Sequence, residues 1–105
     1  MSKSRTTTER LAPVHPGDVL ADALKEAGIS ANAAAIAMGI PANRLTAIVR
    51  AQRGVTADTA MRLGRFFGTS ARFWLNLQTR HDLQVAEREL AERIVAEVRP
   101  LRKSA

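Results

Sequence analysis

The sequence predicts an all-α domain of five to six helices, and three observations lead to that prediction. Apolar residues recur at spacings of three and four, which is the period of an amphipathic helix. The alternation of apolar and polar residues that is typical of β-strands is missing. Glycine, proline and potential capping residues separate the periodic segments at short intervals. A chain of 105 residues is long enough to form one domain with one core.

The first two helices are expected to begin near Pro16 and Ser30. Pro16 suits the first position of a helix, and Gly28 stops that helix. Ser30 can cap the second helix, which is rich in alanine, and Gly39 ends it. The preceding residues 1–13 are polar and lack periodicity, so we expect them to form a flexible N-terminal arm.

The remaining helices follow from the same kinds of signal. Pro41 begins a third helix, and Thr56 caps a fourth. Asp58 lies in the first turn of that fourth helix, where a negative charge is favourable to the helix dipole. Ser70 caps a fifth, and a sixth is expected over residues 83–98, before a proline.

The positive charge of the chain is concentrated in its middle. The net charge is +6, but residues 1–29 carry four bases and four acids, and residues 82–105 carry five of each. Residues 30–81 carry seven arginines against the single acid Asp58. Charge gathered on one part of a small domain is typical of a phosphate-binding surface. The alternative is that an arginine-rich composition placed these residues by chance.

Several classes of function are disfavoured. The absence of cysteine excludes disulfides, thiolate metal sites and thiol catalysis. The two histidines, His15 and His81, belong to no cluster with ligand spacing, so we expect neither a metal nor a cofactor. No nucleophile–base or acid–base set can be assembled, so we expect no enzymatic activity. No apolar run approaches about 18 residues and no secretory signal is recognisable, so we expect a cytoplasmic protein without a membrane span.

The segment around Gly39 and Pro41 has the ingredients of a helix-turn-helix, with helices at about 31–38 and 41–50. Glycine permits the left-handed backbone that a tight turn needs. Three residues of the second helix are expected to face the core: Leu45, Ile48 and Val49. Positions 42, 43, 44, 46, 47 and 50 then face outward, where they can enter a DNA major groove. Helical bundles that bind no DNA can contain the same pattern.

The sequence around this helix pair resembles the HigA group of antitoxins, which belongs to the phage-repressor-like helix-turn-helix class. The resemblance rests on "HPGDVL" at 15–20 and on "VTADTAMRLGRFFGTSARFWLNLQTRHDL" at 55–83. These segments flank the helix pair in the same order as in the family, and the resemblance continues to about Glu87.

The resemblance implies a function that composition and spacing alone do not show. HigA proteins are encoded beside HigB toxins, which are small nucleases that cut mRNA on the ribosome. The antitoxin binds and silences the toxin, forms a homodimer, and represses its own operon by binding an inverted-repeat operator in double-stranded DNA. A bacterial protein of this kind is cytoplasmic and associates with the nucleoid when bound to its operator.

Four residues are expected to contact the phosphate backbone of DNA. Ser30 and Asn32 lie at the start of the first motif helix, where backbone N–H groups and the helix dipole also favour phosphate. Arg50 and Arg53 follow the second motif helix and can track the backbone. The alternatives are that Ser30 is only a helix cap, that Asn32 is merely solvated, and that the arginines pair with acids or water.

Three residues of the second motif helix are expected to reach base edges. Asn43 can pair with adenine N6/N7, and Arg44 can pair with guanine O6/N7. Thr46 can contact a base edge or a thymine methyl group. The alternative is that Arg44 and Thr46 are surface residues without a role in recognition.

The chain departs from the family at positions that bear on DNA binding. Ala31 stands where a polar Gln usually anchors the helix, and Ala42 and Ala47 stand where related repressors often carry long polar side chains. Ala51 replaces a common glycine after the second helix, with Gly54 available to make the turn. These alanines favour binding with a large phosphate share. They also favour one alternative, a helical adapter that binds only protein. The other alternative is a free-standing phage-type repressor without a toxin.

We expect the chain to divide into the arm, a DNA-binding domain at 14–80, and a C-terminal helix and tail at 81–105, which is a possible partner-binding face. The final helix is expected to carry an apolar stripe of Leu83, Ala86, Leu90, Ile94 and Val98. This stripe either packs on its own domain or forms a face for a second subunit or for the toxin. The aromatic residues are expected to pack in the core, with part of the cluster at a dimer interface: Phe66, Phe67, Phe73 and Trp74.

Overall fold

The computed structural model describes residues 13–102, which form five α-helices. The helices are α1 (Pro16–Ala27), α2 (Ala31–Met38), α3 (Ala42–Val49), α4 (Ala57–Phe67) and α5 (Ala71–Glu97). Residues 13–102 contain no strand, and the predicted all-α class is confirmed. Apart from Pro13, the expected N-terminal arm lies outside the described residues. None of the five helices has both the length and the apolar character that crossing a bilayer requires.

Local capping explains where the helices begin. The side-chain hydroxyls of Ser30, Thr56 and Ser70 each accept a hydrogen bond from a backbone N–H three residues later, as an N-cap does. At the start of α1, His15 takes this role, because its Nδ1 accepts from the Gly17 N–H at 2.8 Å. The Asp18 carboxylate in turn accepts from the His15 N–H at 3.3 Å, which completes a capping box. The serine and threonine caps were predicted from the sequence, and these predictions are confirmed.

The prediction of separate fifth and sixth helices is wrong, because α5 runs without interruption from Ala71 to Glu97. The residues between Leu77 and Leu83 are polar but include no proline or glycine, so nothing ends the helix there. Gln78 donates to the Asp82 carboxylate at 2.9 Å, one turn further along the helix. The expected boundary between the DNA-binding domain and the C-terminal helix, at residues 80 and 81, therefore falls inside α5.

The core lies between the helices of the N-terminal part and the first turns of α5. Trp74 is buried at its centre, and its Nε1 donates to the Thr69 hydroxyl at 2.9 Å. The expectation that aromatic residues pack in the core is confirmed for Trp74 and for Phe66 and Phe67, which are half-buried and pack against the core. Phe73 is 41% exposed. The buried apolar residues are Leu20, Leu24, Ala34, Ala35, Met38, Ile40, Leu45, Ile48, Val55, Ala60, Leu63 and Trp74.

The second half of α5 extends away from this core. His81 still contacts the domain, with its ring centroid 4.8 Å from that of His15 in an edge-to-face arrangement. Ala86 and Leu90 are half-buried, whereas Leu83, Ile94 and Val98 are exposed, and every described residue from 91 onward is exposed. The apolar stripe therefore does not pack on its own domain over most of its length.

Candidate nucleic-acid interface

The turn between α2 and α3 consists of residues 39–41 and is closed by an arginine from α4. Gly39 has a φ of 71°, and its N–H donates to the Ile36 carbonyl at 3.1 Å. The Arg62 guanidinium Nη1 donates to the Met38 carbonyl at 2.9 Å and to the Gly39 carbonyl at 3.5 Å. A cation at a helix C-terminus satisfies carbonyl groups that lack helical partners. Arg62 thus fixes the turn on which the orientation of α3 depends.

Packing against α1 and the core determines which face of α3 is exposed. Leu45 and Ile48 are fully buried, as predicted, and Val49 is half-buried against the core. The α1 helix approaches so closely that a side chain at Gly17 would collide with the Ile48 carbonyl oxygen. On the opposite side of the helix, Asn43 is exposed. α3 therefore presents to solvent one of the residues predicted to read bases.

The predicted phosphate contacts at the start of α2 are accessible. Ser30 is exposed, and its Oγ accepts from the Ala33 N–H at 3.1 Å. Its hydroxyl proton is not needed for this bond, so the same side chain can cap the helix and donate to a phosphate. Asn32 is exposed one residue after the first residue of the helix. Capping α2 and contacting a phosphate are therefore compatible roles for Ser30.

Arg44 and Thr46 both make intramolecular contacts. The Arg44 Nη1 atom lies 3.4 Å from the Asp58 Oδ2 atom, and the Arg44 side chain is 31% exposed. The Thr46 hydroxyl donates to the Ala42 carbonyl at 2.9 Å. Thr46 can consequently offer a base only its methyl group or an oxygen lone pair. The Asp58 contact with Arg44 joins residues 14 positions apart, so helical periodicity does not reveal it.

The segment after α3 carries the other two predicted arginines. Arg50 is the C-cap of α3, and both Arg50 and Arg53 are exposed. The expectation that Gly54 makes the turn is wrong, because Ala51 itself takes the left-handed conformation with a φ of 61°. Gly54 instead lies against the Gln78 side chain, whose Oε1 accepts from the Val55 N–H at 2.7 Å. This bond ties the loop to α5.

A surface depression brings the two classes of predicted contact together. It has a volume of about 280 Å³, and both Arg44 and Arg53 line it. Asp58 also lines it, and the remaining lining residues are Gly54, Thr56 and Thr59. The candidate interface thus consists of the exposed side of α3, the exposed Arg50 and Arg53 that follow it, and Arg44 in contact with Asp58. Among residues 13–102, no group of three or more potential ligands is arranged to hold a metal ion.

Comparison with known proteins identifies the family of this fold. No family model matches the chain. The structure of the Pseudomonas aeruginosa antitoxin HigA, solved with the higBA promoter, superposes with a TM-score of 0.82 at 46% sequence identity, covering 86% of this chain and 99% of that one. This chain belongs to the HigA family of helix-turn-helix antitoxins.

Two further proteins are similar to this chain, and the first of them is named as a HigA-family protein. An addiction module antidote protein of the HigA family from Coxiella burnetii superposes with a TM-score of 0.81 at 46% identity, covering 86% of this chain and 99% of that one. The curated Virulence-associated protein I of Dichelobacter nodosus is 51% identical over 77 residues, which is 72% of this chain and 71% of that protein.

The alanines that were expected to depart from the family pattern are not all free surface positions. Ala31 and Ala42 are half-buried and pack against the core. Ala47 is also half-buried rather than fully outward. A longer side chain at position 42 would therefore have to leave the core contact that the alanine makes. Ala31 and Ala42 therefore contribute to packing.

Proposed function

We propose that this chain is the antitoxin of a HigB/HigA-type module, that it binds its own operator as a homodimer, and that it neutralises a small mRNA-cleaving toxin by direct contact. The observation that carries the proposal is the exposed face that begins at Asn43 and continues through Arg50 and Arg53. The similar HigA of Pseudomonas aeruginosa, solved with promoter DNA, supports placing this face against a duplex.

The proposed contacts divide into those that hold the DNA backbone and those that read sequence. Arg50 and Arg53 lie beyond the C-terminus of α3 and are exposed, which suits them to track phosphates. Ser30 and Asn32 offer polar groups beside the free N–H groups at the start of α2, where an anion is favoured. The excess of arginine over residues 30–81 supplies the long-range attraction that any duplex would experience.

Sequence reading is proposed for the first turns of α3. The Asn43 amide can donate to N7 and accept from N6 of an adenine, and the Arg44 guanidinium can donate to O6 and N7 of a guanine. Thr46 is proposed to contact a thymine methyl group, because its hydroxyl proton is used by the Ala42 carbonyl. A dimer would place two copies of α3 about one helical turn apart on an inverted repeat.

The partner contacts are proposed for the second half of α5. Val95 is 79% exposed, and Ile94 and Val98 are exposed beside it. Apolar side chains that are contiguous and uncovered are typical of a protein–protein surface. This part of α5 is proposed to serve the second subunit or the toxin, and the chain is proposed to act in the bacterial cytoplasm and at the nucleoid.

An electrophoretic mobility-shift experiment tests operator binding. The full chain is titrated against the DNA upstream of its own gene and against random DNA of equal length. We expect the upstream DNA to be retarded at a lower protein concentration than the random DNA. No retarded band at low salt with the dimer at tens of micromolar would remove DNA binding from the proposal. That range brackets non-specific dissociation constants of roughly 10⁻⁴–10⁻⁶ M.

Co-expression with the product of the neighbouring gene tests the antitoxin role. We expect a complex whose measured mass contains both chains, together with reduced mRNA cleavage by the toxin. Operator binding without such a complex would instead indicate a free-standing repressor. A complex without any DNA binding would indicate a protein-only adapter.

A further inference from the structure

Asp58 lies between an arginine of the candidate DNA interface and an arginine that closes the helix-turn-helix. It is the single acid among residues 30–81. Its Oδ2 atom accepts from the Arg44 Nη1 at 3.4 Å. Both of its oxygens accept from the Arg62 Nε, at 3.1 and 3.3 Å. The carboxylate therefore connects the first turn of α4 with the first turn of α3.

Arg62 holds this carboxylate in place independently of Arg44. The Arg62 Nη1 donates to the Met38 carbonyl at 2.9 Å, at the C-terminal end of α2. The guanidinium is thus bonded on one side to the backbone of α2 and on the other to Asp58. Because a planar guanidinium holds its donors in a rigid geometry, the position of the carboxylate is determined by α2 and α4. Arg44 pairs with a carboxylate that is already oriented.

The contact with Asp58 leaves Arg44 able to read a base. A guanidinium has five N–H donors, and the contact to Asp58 is made by Nη1 alone. An edge with two parallel donors remains, which is what the O6 and N7 atoms of guanine require. Asp58 is 58% exposed and lines the same depression as Arg44 and Arg53. An approaching phosphate therefore meets the carboxylate as well as the two arginines.

Asp58 affects binding to operator DNA and binding to random DNA differently. Random DNA is held almost entirely through phosphates, and Asp58 weakens this binding by pairing with Arg44 and so withholding its charge from a phosphate. Operator DNA gains in addition the base contact of Arg44, whose guanidinium already has a partner in Asp58. We propose that Asp58 is a positioning and specificity-determining residue, which orients Arg44 toward a base and weakens binding to random DNA. This inference rests on the proposed operator binding and names the residue that controls its selectivity.

The test compares the dissociation constants of the full chain for operator and random DNA over a series of salt concentrations. Asp58→Asn keeps the shape of the side chain and removes its charge. We expect tighter binding to random DNA, a salt dependence on random DNA that is steeper by about one unit, and an operator-to-random ratio that falls about fivefold. The size of the fall corresponds to the upper range for an exposed ion pair.

Two comparisons separate positioning from a general charge effect. Asp22→Asn makes the same charge change on the exposed face of α1 and is expected to leave the ratio unchanged. In an Arg44→Ala background, Asp58→Asn should no longer lower the ratio, because the side chain that it orients is gone. Far-UV circular dichroism and a thermal melt confirm that each variant is folded.

Two outcomes would overturn the inference. If Asp58→Asn leaves or raises the operator-to-random ratio while the wild-type chain prefers its operator, Asp58 does not control selectivity and the proposed function stands. An equal fall of the ratio in the Arg44→Ala background would likewise show that Asp58 does not act through Arg44. A wild-type chain that binds operator and random DNA alike would refute the proposed function together with this inference.

Discussion

Replacing Gly17 with alanine tests whether the close approach of α1 and α3 orients the candidate interface. Gly17 is the second residue of α1, and its amide donates to the His15 Nδ1 at 2.8 Å. A Cβ atom at this position would overlap the Ile48 carbonyl oxygen and would lie 2.9 Å from the Ile48 carbonyl carbon. Both obstacles are backbone atoms of α3, so no side-chain rotation can relieve the overlap.

The expected effect is large and opposite in sign to the usual effect of this substitution. Alanine in place of glycine within a helix normally stabilises it by about 0.5–1 kcal/mol. Overpacking costs about 1–3 kcal/mol, and the upper end applies here because a helix backbone must move. We expect the free energy of unfolding to fall by about 3 kcal/mol, which corresponds to a Tm lower by about 15 °C for a chain of this length.

Thermal unfolding followed by far-UV circular dichroism measures this effect. Gly28→Ala is the matched control, because a Cβ at Gly28 meets nothing within 4 Å although its φ is +69°. That control should cost only about 1–2 kcal/mol, from the left-handed conformation alone. A Gly17→Ala chain that melts at or above the wild-type Tm would refute the argument that α1 and α3 are in backbone contact there.

Three further predictions concern the interface and the helix ends. Arg44→Ala should weaken operator binding by about 1–3 kcal/mol and relax the preference at one base pair. Arg53→Ala should instead weaken binding to operator and random DNA alike and lower the slope of the salt dependence by about one unit. Equal losses of binding to both DNAs for Arg44→Ala, or a loss confined to the operator for Arg53→Ala, would contradict these roles. Ala51→Gly should raise the free energy of unfolding by up to about 1 kcal/mol in urea titrations, since it relieves the φ of 61°, and a destabilised variant would argue against that backbone conformation. Burial and the neighbouring His81 charge lower the pKa of His15, so the unfolded chain binds more protons at this residue than the folded chain does. The contribution of His15 to the free energy of unfolding is therefore fully present above about pH 6.5 and is lost as the pH falls through the native pKa. A urea midpoint that drops between pH 7.5 and pH 5.5 in the wild type, and drops less in His15→Asn, would confirm this, and equal drops would exclude His15 as the cause.

The helix boundaries could be predicted because their signals act over a few residues. Ser30 bonds to the N–H of Ala33, three positions away, and a left-handed Gly39 follows the end of the same helix. The same reasoning failed at the middle of α5, where separate fifth and sixth helices were predicted. Polar residues do not end a helix when each can still make its backbone bonds and extend into solvent.

The sequence predicted which segment contains the candidate site, but it did not predict how the residues of that site contact one another. The charge distribution indicated the segment that contains the candidate interface, and the turn around Gly39 indicated the two helices. The roles of Asp58, Arg62 and Gln78 were not recognised. Asp58 did carry a signal, since it is the single acid in an arginine-rich segment. The contact of Arg62 with the Met38 carbonyl and that of Gln78 with the Val55 N–H carried none, because these partners lie 24 and 23 residues away.

The sequence by itself determined the helical class, the starts of most helices and the location of the positive charge, because periodicity, caps and composition are properties of neighbouring residues. Only the tertiary structure decided that Arg44 contacts Asp58, that Ala51 rather than Gly54 takes the left-handed conformation, and that the second half of α5 leaves the core. Each of these depends on which distant segments come into contact, and that is settled by burial of the whole core rather than by any local pattern.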